Sequence, residues 1–493
     1  MKRLLYLFMA SVVMLAIGCS KDSKQDSLVI NGITEAGKTP EFNFTPDGGI
    51  SVIDIQSNTV WAISTDGQDW YELSALKGEG NAKVNITVKS NRGDVERSAR
   101  LNLAAGTATA TIAIVQKSQI LPTDPQQTKL RVRAYGGEKV VGVMKGIDFS
   151  VELPQNVNWI KNASVNQEDG TVSLLFAENE TDEFRTADVK IVTTASKKAL
   201  GTIHISQSWR NIEPGELLIE EIFFTSNALP ETGRPEKHNG DQYYKLTNNT
   251  DEVLYADGVM IMESKINSTL PYEYITPIKD THTGIQTAYC IPGNGKDIPV
   301  KPGESLVIAN NAQNHTLENP NSFDLSNANF EWYDQSSSSA NQDIDNPAVP
   351  NLEIWYTYSL SYWILHNRGY TGHAIAILPK SVTKEKFLKE YKWEGQYINH
   401  TKVGDFTMNI SKAYKIPNEW VLDAVNLSLK QLFYSLEFGE KLDAGYAFCG
   451  EIDMDPKRYG KSVRRKRDAN GKLVDTNNST NDFISNAIPS LKK

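Results

Sequence analysis

Between residues 28 and 208, short runs alternate apolar and polar side chains, and turn-forming residues separate these runs. Segments 83–89, 97–103 and 108–116 each carry apolar side chains at every second position. A period of two residues is typical of half-buried antiparallel strands. The pattern therefore predicts β-sandwich domains over this part of the chain.

The same order of landmarks occurs twice: a tryptophan, an arginine and a closing glutamine, first as Trp61, Arg97 and Gln116 and then as Trp159, Arg185 and Gln207. We therefore predict two tandem domains, at 28–120 and 127–210, joined by a proline-containing linker. The first tryptophan and arginine are 36 residues apart and the second pair 26, which predicts an insertion around 67–80 in the first copy.

From residue 215 to 493 the pattern changes and predicts one larger domain. Segment 217–224 is a strong apolar strand, and a Pro-Gly turn precedes the apolar segment 304–309. Segments 382–391 and 418–432 have apolar side chains at helical spacing, which predicts two helices.

The repeated segment resembles the BACON family in its order of a tryptophan, a polar turn, an arginine and a strand ending in glutamine. BACON modules are immunoglobulin-like and occur in Bacteroidetes surface proteins. Segments 241–252, 253–261 and 300–310 are similar to lamin-tail-type sandwiches and, more closely, to an uncharacterised Bacteroidetes lipoprotein family. The resemblances imply a mainly β fold: tandem immunoglobulin-like β-sandwiches plus a larger lamin-tail-like β-sandwich domain with a few helices.

The first residues resemble a lipoprotein signal. Lys2 and Arg3 precede an apolar run over 4–17, and Gly18 precedes Cys19. About 14 apolar residues suit a signal peptide better than a spanning helix. The resemblance implies a signal peptide at 1–18, lipid attachment at Cys19 and a polar tether at 19–27. We expect a lipid anchor in the outer membrane, facing the cell surface rather than the periplasm.

The chain has a net charge of -9, which argues against nucleic acid as a partner. It lacks the usual catalytic motifs, so we predict no catalytic residue and no cofactor. Glu451, Asp453 and Asp455 alternate and would share one face of a strand. They are a weak candidate for half of a calcium site, and a solvated strand face is the simpler interpretation.

Cys290 and Cys449 could form a disulfide in an oxidising compartment, or remain free buried thiols. A basic run stands out on this acidic chain and could dock a partner or form a solvated hairpin. Its charged residues are Arg458, Lys461, Arg464, Arg465, Lys466 and Arg467.

Aromatic residues are the sharpest local feature of the C-terminal domain. On a regular strand Tyr356, Tyr358 and Tyr362 would share one face, and Trp355 and Trp363 the other. Exposed rings there could stack on a ligand, or both faces could be core. The candidate stacking residues are Trp355, Trp363 and Trp332, with Trp70 and Tyr71 in the predicted insertion of the first copy.

These features favour a non-enzymatic cell-envelope lipoprotein, an accessory binding or scaffold component of a nutrient uptake system. The family resemblance implies a TonB-dependent SusC/SusD-like transporter as partner and a glycan or peptide as ligand. The alternative is a hydrolase of unrecognised class, which would need two carboxylates facing one cleft.

Overall fold

A computed structural model describes residues 25–31, 38–236, 239–333, 343–358, 365 and 368–492. Strands predominate and most pair antiparallel, so the predicted mainly β class is confirmed. The predicted signal peptide, Cys19 and Trp363 lie outside the described residues. Within the described ranges, no helix has the length and apolar character needed to cross a bilayer.

The first sandwich packs two sheets with strand orders β1-β3-β7-β5 and β2-β9-β8-β4-β6. Alternate side chains of β8 and β9 point into its core, as the period of two predicted. Its strands are β1 (Leu28–Ile30), β2 (Glu41–Phe44), β3 (Gly49–Ser57), β4 (Val60–Ser64), β5 (Tyr71–Leu73), β6 (Lys77–Glu79), β7 (Ala82–Val88), β8 (Arg97–Ala105) and β9 (Ala108–Gln116).

The second sandwich packs sheets of order β10-β16-β15-β12 and β11-β14-β13. In each sandwich the last strand pairs antiparallel with the strand before it and parallel with an early strand. Its strands are β10 (Gln126–Val132), β11 (Gly137–Gly142), β12 (Phe149–Glu152), β13 (Ile160–Asn166), β14 (Thr171–Phe176), β15 (Arg185–Thr193) and β16 (Ala199–Gln207).

The predicted equivalence of Trp61 and Trp159 is wrong. The carbonyl of Trp70 accepts from the amide of Lys89 at 2.9 Å, and that of Trp159 accepts from Ala177 at 2.8 Å in the same place of the second sandwich. Trp159 therefore corresponds to Trp70. Each tryptophan also lies under an arginine guanidinium, 4.8 Å from the ring centroid in both sandwiches.

Phe149 takes the place of Trp61. Trp61 pairs with Ala105 and Phe149 with Thr193, and both partners are the eighth residue after the arginine that begins their strand. With Trp70 and Trp159 aligned, tryptophan and arginine are about equally far apart in the two copies. The predicted insertion at 67–80 is therefore absent, because it came from matching the wrong tryptophan.

The C-terminal domain packs two large sheets face to face, of order β25-β24-β18-β17-β32-β33 and β26-β22-β20-β27-β31, with β30 added to β22. A three-stranded sheet β21-β28-β29 projects beside the second. The strands are β17 (Leu217–Phe223), β18 (Tyr243–Asn248), β19 (Leu254–Tyr255), β20 (Val259–Asn267), β21 (Tyr272–Tyr274), β22 (His282–Cys290), β23 (Pro299–Val300), β24 (Ser305–Ala309), β25 (Phe330–Glu331), β26 (Glu353–Thr357), β27 (Thr371–Ile377), β28 (Gln396–Thr401), β29 (Gly404–Asn409), β30 (Tyr414–Pro417), β31 (Val421–Val425), β32 (Ser462–Arg465) and β33 (Phe483–Ala487).

The structure forms one of the two predicted helices. Helix α1 (Lys384–Glu390) begins after Thr383, whose hydroxyl accepts from the amide of Lys386, and a second short helix α2 (Ser479–Asp482) lies near the C-terminus. The predicted helix at 418–432 is wrong: a 3-10 turn (Asn418–Trp420) leads into β31. All five residues of β31 are buried, because both faces of its sheet are covered. A strand buried on both faces has no alternation of apolar and polar residues, so its sequence pattern resembled that of an amphipathic helix.

Ordered joints connect the three units. The loop that follows β7 reaches the second sandwich, where Thr193 donates to the buried Asp94 at 3.0 Å and Arg92 pairs with Asp148 at 3.2 Å. Between the second and third units, Trp209 and Ile212 are buried in the two clusters of the C-terminal core. The three sandwiches therefore make specific side-chain contacts with their neighbours.

Candidate functional site

Three of the aromatic candidates belong to the core. Trp332 is fully buried between Tyr244 and Tyr289, with ring centroids 5.2 and 6.4 Å away. Trp70 and Tyr71 are only 6% and 4% exposed, because they correspond to a core strand and not to an insertion. The prediction that these rings are available for stacking is therefore wrong.

Trp355 is half-buried because a β-bulge interrupts the alternation of its strand. Ala288 pairs with Tyr356, and the next residue, Tyr289, pairs with Ile354, which leaves Trp355 as the extra residue. Trp355 and Tyr356 consequently pack against the same core cluster and do not face opposite ways. The prediction of an aromatic face through Trp355 fails for this reason.

The basic run is mostly engaged within the domain. Arg465 is buried and bonds both carboxylate oxygens of Asp423, at 2.7 and 2.8 Å. It also lies 3.3 Å from Asp475 and 3.6 Å from Asp482. This network ties β31 and β32 to α2, so Arg465 stabilises the fold and is not available to a partner.

The other cations of the run are similarly placed. Arg458 is buried and donates to the carbonyl of Asp455 at 2.8 Å. Lys466 donates to the carbonyl of Asn481, and Arg467 pairs with Glu220 at 3.0 Å. Lys461 and Arg464 are half-buried. The predicted docking patch is therefore wrong as a continuous exposed surface.

The three alternating acids lie in a turn and not on a strand. Asp455 accepts from the amides of Glu451 and Lys457, both at 2.9 Å, and Asp453 faces Arg368 at 3.7 Å. The turn therefore sends the carboxylates in different directions. Among the described residues, no group of three histidines, cysteines or acids could hold a metal ion.

Cys290 and Cys449 are both free and buried, so the pairing alternative is wrong. Cys290 belongs to the cluster on the outer face of the β22 sheet, and Cys449 belongs to the core between the two large sheets. The sheet itself lies between the two sulfurs. Burial raises the pKa of the Cys290 thiol to about 12, so neither its position nor its acidity suits a nucleophile.

A cleft of about 350 Å³ opens where the three-stranded sheet meets the edge of the large sheet. We call it the tyrosine cleft. It is lined by Lys265, Asn267, Leu270, Tyr272, Tyr274, Gln286, Tyr358, Tyr370, Thr371, Tyr397, Asn409, Ile410 and Ser411.

An irregular strand opens this cleft. Glu263 of β20 pairs with His373 and Asn267 pairs with Thr371, so three residues of β20 lie opposite a single residue of β27. Extra residues bend a strand and end its regular pairing. The bend turns Lys265 and Asn267 toward the cleft, where Tyr370 and Thr371 form the neighbouring wall.

A ladder of rings forms one wall. Tyr274 pairs with Tyr397 across β21 and β28, and directly opposed residues share a face of the sheet. The ring of Tyr397 lies 4.4 Å from that of Tyr272 and 5.8 Å from that of Tyr274. Tyr274 stacks in turn on the buried Trp393 at 5.5 Å. The core thus supports rings whose other sides are half-exposed.

Polar groups face this wall across the cleft. The buried carboxylate of Glu263 accepts from Gln286 at 3.0 Å and from Thr371 at 2.8 Å, which holds both lining side chains in place. Asn267 adds a further amide on this side, whereas Asn409 lies in the same sheet as the rings and accepts from Gln396 at 3.0 Å. Amides both donate and accept hydrogen bonds, so the cleft can satisfy hydroxyl groups of a ligand.

Burial governs the ionisation of the lining residues. It raises the pKa of Tyr272 and Tyr274, and the neighbouring Tyr397 raises both further, so their hydroxyls keep their protons at neutral pH. Burial also lowers the pKa of the Lys265 ammonium, and Lys412 lowers it further, while Glu263 acts in the opposite direction. The cleft therefore presents hydroxyl donors and a cation.

A larger cleft of about 830 Å³ lies between the second sandwich and the C-terminal domain. Its central charged residues already pair with one another: Arg133 lies 2.5 Å from Glu216 and 3.3 Å from Glu252. Its charges are thus engaged in holding the joint, and the tyrosine cleft is the better candidate for a ligand site.

Sequence reasoning identified only Tyr358 among the cleft tyrosines, as part of the aromatic segment around Trp355. The segment Tyr272–Tyr274 carried a usable signal, because a Tyr-Glu-Tyr strand places two rings on one face. No spacing indicated that Lys265 and Gln286 would meet them, since contact across sheets depends on topology.

Two family models match parts of the chain. Residues 59–117 match the BACON family, whose description proposes a binding domain at the N-terminus. Residues 301–490 match a family described as "Protein of unknown function (DUF4876)". No curated protein matches the chain.

The chain is also similar to solved structures from Bacteroides. A DUF4876 family protein from Bacteroides thetaiotaomicron is 16% identical over 92% of this chain and 96% of that chain, with a TM-score of 0.44. A xyloglucanase from Bacteroides ovatus is 28% identical over 21% of this chain and 22% of that chain, with a TM-score of 0.17. The chain thus contains a BACON domain within its first sandwich and a DUF4876 domain within its C-terminal unit.

Proposed function

We propose that this chain is a non-enzymatic cell-envelope lipoprotein whose tyrosine cleft binds a carbohydrate. The single observation that carries the proposal is the ladder of half-exposed rings facing a wall of amides. A sugar ring has apolar C–H faces that pack on aromatic rings, and hydroxyls around its edge that need donors and acceptors. The two walls match these two requirements.

Binding rather than catalysis is supported by the composition of the cleft. Glycoside hydrolysis requires two carboxyl groups on opposite sides of the scissile bond. Among the described residues that line the cleft there is no aspartate or glutamate, and the nearby Glu263 is buried and occupied by Gln286 and Thr371. The described lining of the tyrosine cleft therefore lacks the pair of carboxyl groups that the hydrolase alternative needs.

The placement of the protein is part of the same proposal. A lipid on Cys19 would anchor the chain in the outer membrane, at the cell surface, with the two N-terminal sandwiches as spacers. The partner would be a TonB-dependent SusC/SusD-like transporter, and the C-terminal unit would be a lamin-tail-like sandwich. The matches to BACON and DUF4876 support the coarser idea of a surface binding protein. Acyl chains on the processed N-terminus, found by mass spectrometry and lost in C19A, would support the anchor.

Glycan and peptide arrays probed with the full chain test the ligand. We expect glycan binding that falls at least tenfold in Y397A, because this ring contacts both Tyr272 and Tyr274. The matched control is Y434A, whose ring is 55% exposed and lies outside the cleft. Binding that Y397A leaves unchanged, or a preference for peptides, would contradict the carbohydrate proposal.

A further inference from the structure

Lys265 is an unusual component of the tyrosine cleft. Its side chain is half-buried, and within the described part of the chain it has no hydrogen-bond or ion-pair partner. Taking an ammonium group out of water without a partner costs free energy. Lys245, another half-buried lysine of the C-terminal domain, has such a partner in Glu220 at 3.2 Å. A missing partner at a cleft wall indicates that a ligand supplies it.

The surrounding charges make the same cleft locally positive. Lys412 follows the lining residue Ser411 and donates to the carbonyl of Tyr358 at 3.5 Å. The nearest carboxylate beneath the cleft, Glu263, has both oxygens engaged by Gln286 and Thr371. Two lysines therefore meet at one cleft of a chain whose net charge is -9.

We infer that the ligand of the tyrosine cleft is an acidic sugar, whose carboxylate or sulfate ester pairs with Lys265 while its ring packs on the tyrosine ladder. The inference rests on the proposed function and narrows it from carbohydrates in general to anionic ones. Lys412 contributes attraction from the rim, where solvent screens it more strongly. An ion pair with a partly buried lysine discriminates strongly against an uncharged ligand, since that ligand would leave the ammonium unpaired.

Two matched pairs of ligands test this inference by titration calorimetry on the full chain. The first pair is an oligogalacturonide and its methyl ester, which differ only in the carboxylate. The second is a sulfated galactan oligosaccharide and its desulfated form. We expect one acidic member to bind at least tenfold more tightly than its neutral partner, and which pair responds identifies carboxylate or sulfate as the anion.

Variants separate the lysine from the rest of the site. K265Q should abolish the preference for the acidic ligand, K265R should keep it, and K412Q should weaken it about twofold to threefold. The control K402Q removes an exposed lysine at the tip of the β28–β29 hairpin, outside the cleft, and should change nothing.

The outcomes distinguish the two proposals. Equal binding of acidic and neutral members, with loss of both in Y397A, would overturn the inference and leave the proposed function standing. An acidic preference that survives in K265Q would also overturn it. No binding to any of the four ligands or to the glycan array would overturn the proposed function and the inference with it.

Discussion

The two N-terminal sandwiches are built around the same buried polar cluster. Arg97 donates to Gln116 at 2.8 Å in the first, and Arg185 donates to Gln207 at 2.9 Å in the second. The amide nitrogen of each glutamine lies within hydrogen-bond distance of three backbone carbonyls of its own sandwich. A core position at the other end of the strand that the arginine begins differs, because Phe149 stands where the first copy has Trp61.

This difference shows that the polar cluster and the apolar core position tolerate substitution to different degrees. An apolar core position accepts a different aromatic ring when the surrounding side chains adjust to the change in volume. A buried amide with several fixed partners cannot be replaced without leaving carbonyls unsatisfied. The residue types in this shared cluster are therefore more tightly restricted than the residue type at the Trp61 and Phe149 position.

The two sandwiches also use equivalent loops where each one joins the unit that follows it. Asn91 donates to Val95 and Lys117, and Asn179 donates to Glu183 and Ser208, so the two loops are equivalent residue by residue. Asp94 of the first loop accepts from Thr193 of the second sandwich at 3.0 Å. Its counterpart Asp182 accepts from the amide of Ser381 in the C-terminal domain at 3.3 Å. One loop type thus joins each sandwich to the next unit.

The largest expected effect tests the tryptophan alignment. W70A and W159A should each destabilise their own sandwich by about 3–5 kcal/mol, because both lose a buried ring and its arginine contact. W61F should cost less, about 1–3 kcal/mol, because phenylalanine fits the equivalent site of the second sandwich but loses the indole hydrogen bond to the carbonyl of Gly80 at 3.1 Å. Hydrogen exchange of β8 and β15 amides measures each sandwich separately. A W61F cost as large as that of W70A would break the alignment.

The second-largest expected effect follows from replacing the buried glutamine of the polar cluster in each sandwich. Q116L and Q207L should each cost about 2–3 kcal/mol, because leucine fills the space but leaves three carbonyls and an arginine without their partner. The same exchange measurement applies. Q119L, at a half-buried glutamine with one backbone carbonyl contact, is the control and should cost much less. Unequal losses in the two sandwiches would show that the clusters are not equivalent.

A smaller effect tests the turns before β3 and β11. Gly48 and Gly136 have φ of 79° and 66°, and a Cβ atom on either would collide with the carbonyl of Val88 or Phe176, respectively. G48A and G136A should each cost about 1–2 kcal/mol or more. G67A shares the positive φ but meets no atom, so it isolates the backbone contribution. Identical melting shifts in G67A and G48A would refute the steric argument.

The smallest expected effect is a pH-dependent loosening of the joint between the first and second sandwiches. Burial disfavours the charged form of Asp94, but hydrogen bonds from Ser196 and Thr193 outweigh it and hold the pKa of this carboxyl below its usual value. A depressed pKa in the folded state means that the stabilisation is present above about pH 4, the usual aspartate pKa, and is lost as the pH falls through the folded value.

D94N should remove that pH dependence and cost about 1 kcal/mol at neutral pH. Small-angle scattering should show a wider range of orientations between the first two sandwiches in acid for the wild type. D54N, at a half-exposed aspartate of β3 away from the joint, serves as control. Unchanged scattering of the wild type at low pH would exclude Asp94 as the determinant of this joint.

Local patterns in the sequence were enough to predict the β character and the strands β7, β8 and β9 of the first sandwich. These follow from local periodicity, because a half-buried strand must alternate. Helical spacing over 382–391 likewise predicted α1, whose threonine cap the structure revealed. It misassigned β31, whose two buried faces remove the alternation that marks a strand.

Which residues come into contact depends on the order and register of the strands. Pairing register showed that Trp159 corresponds to Trp70, and a bulge turned Trp355 against the core. Burial of Arg465 converted an apparent docking patch into an internal network. The tyrosine cleft brings together Lys265, Tyr397 and other residues from distant strands. Such contacts depend on sheet order, and local periodicity carries no information about the distance between strands far apart in the chain.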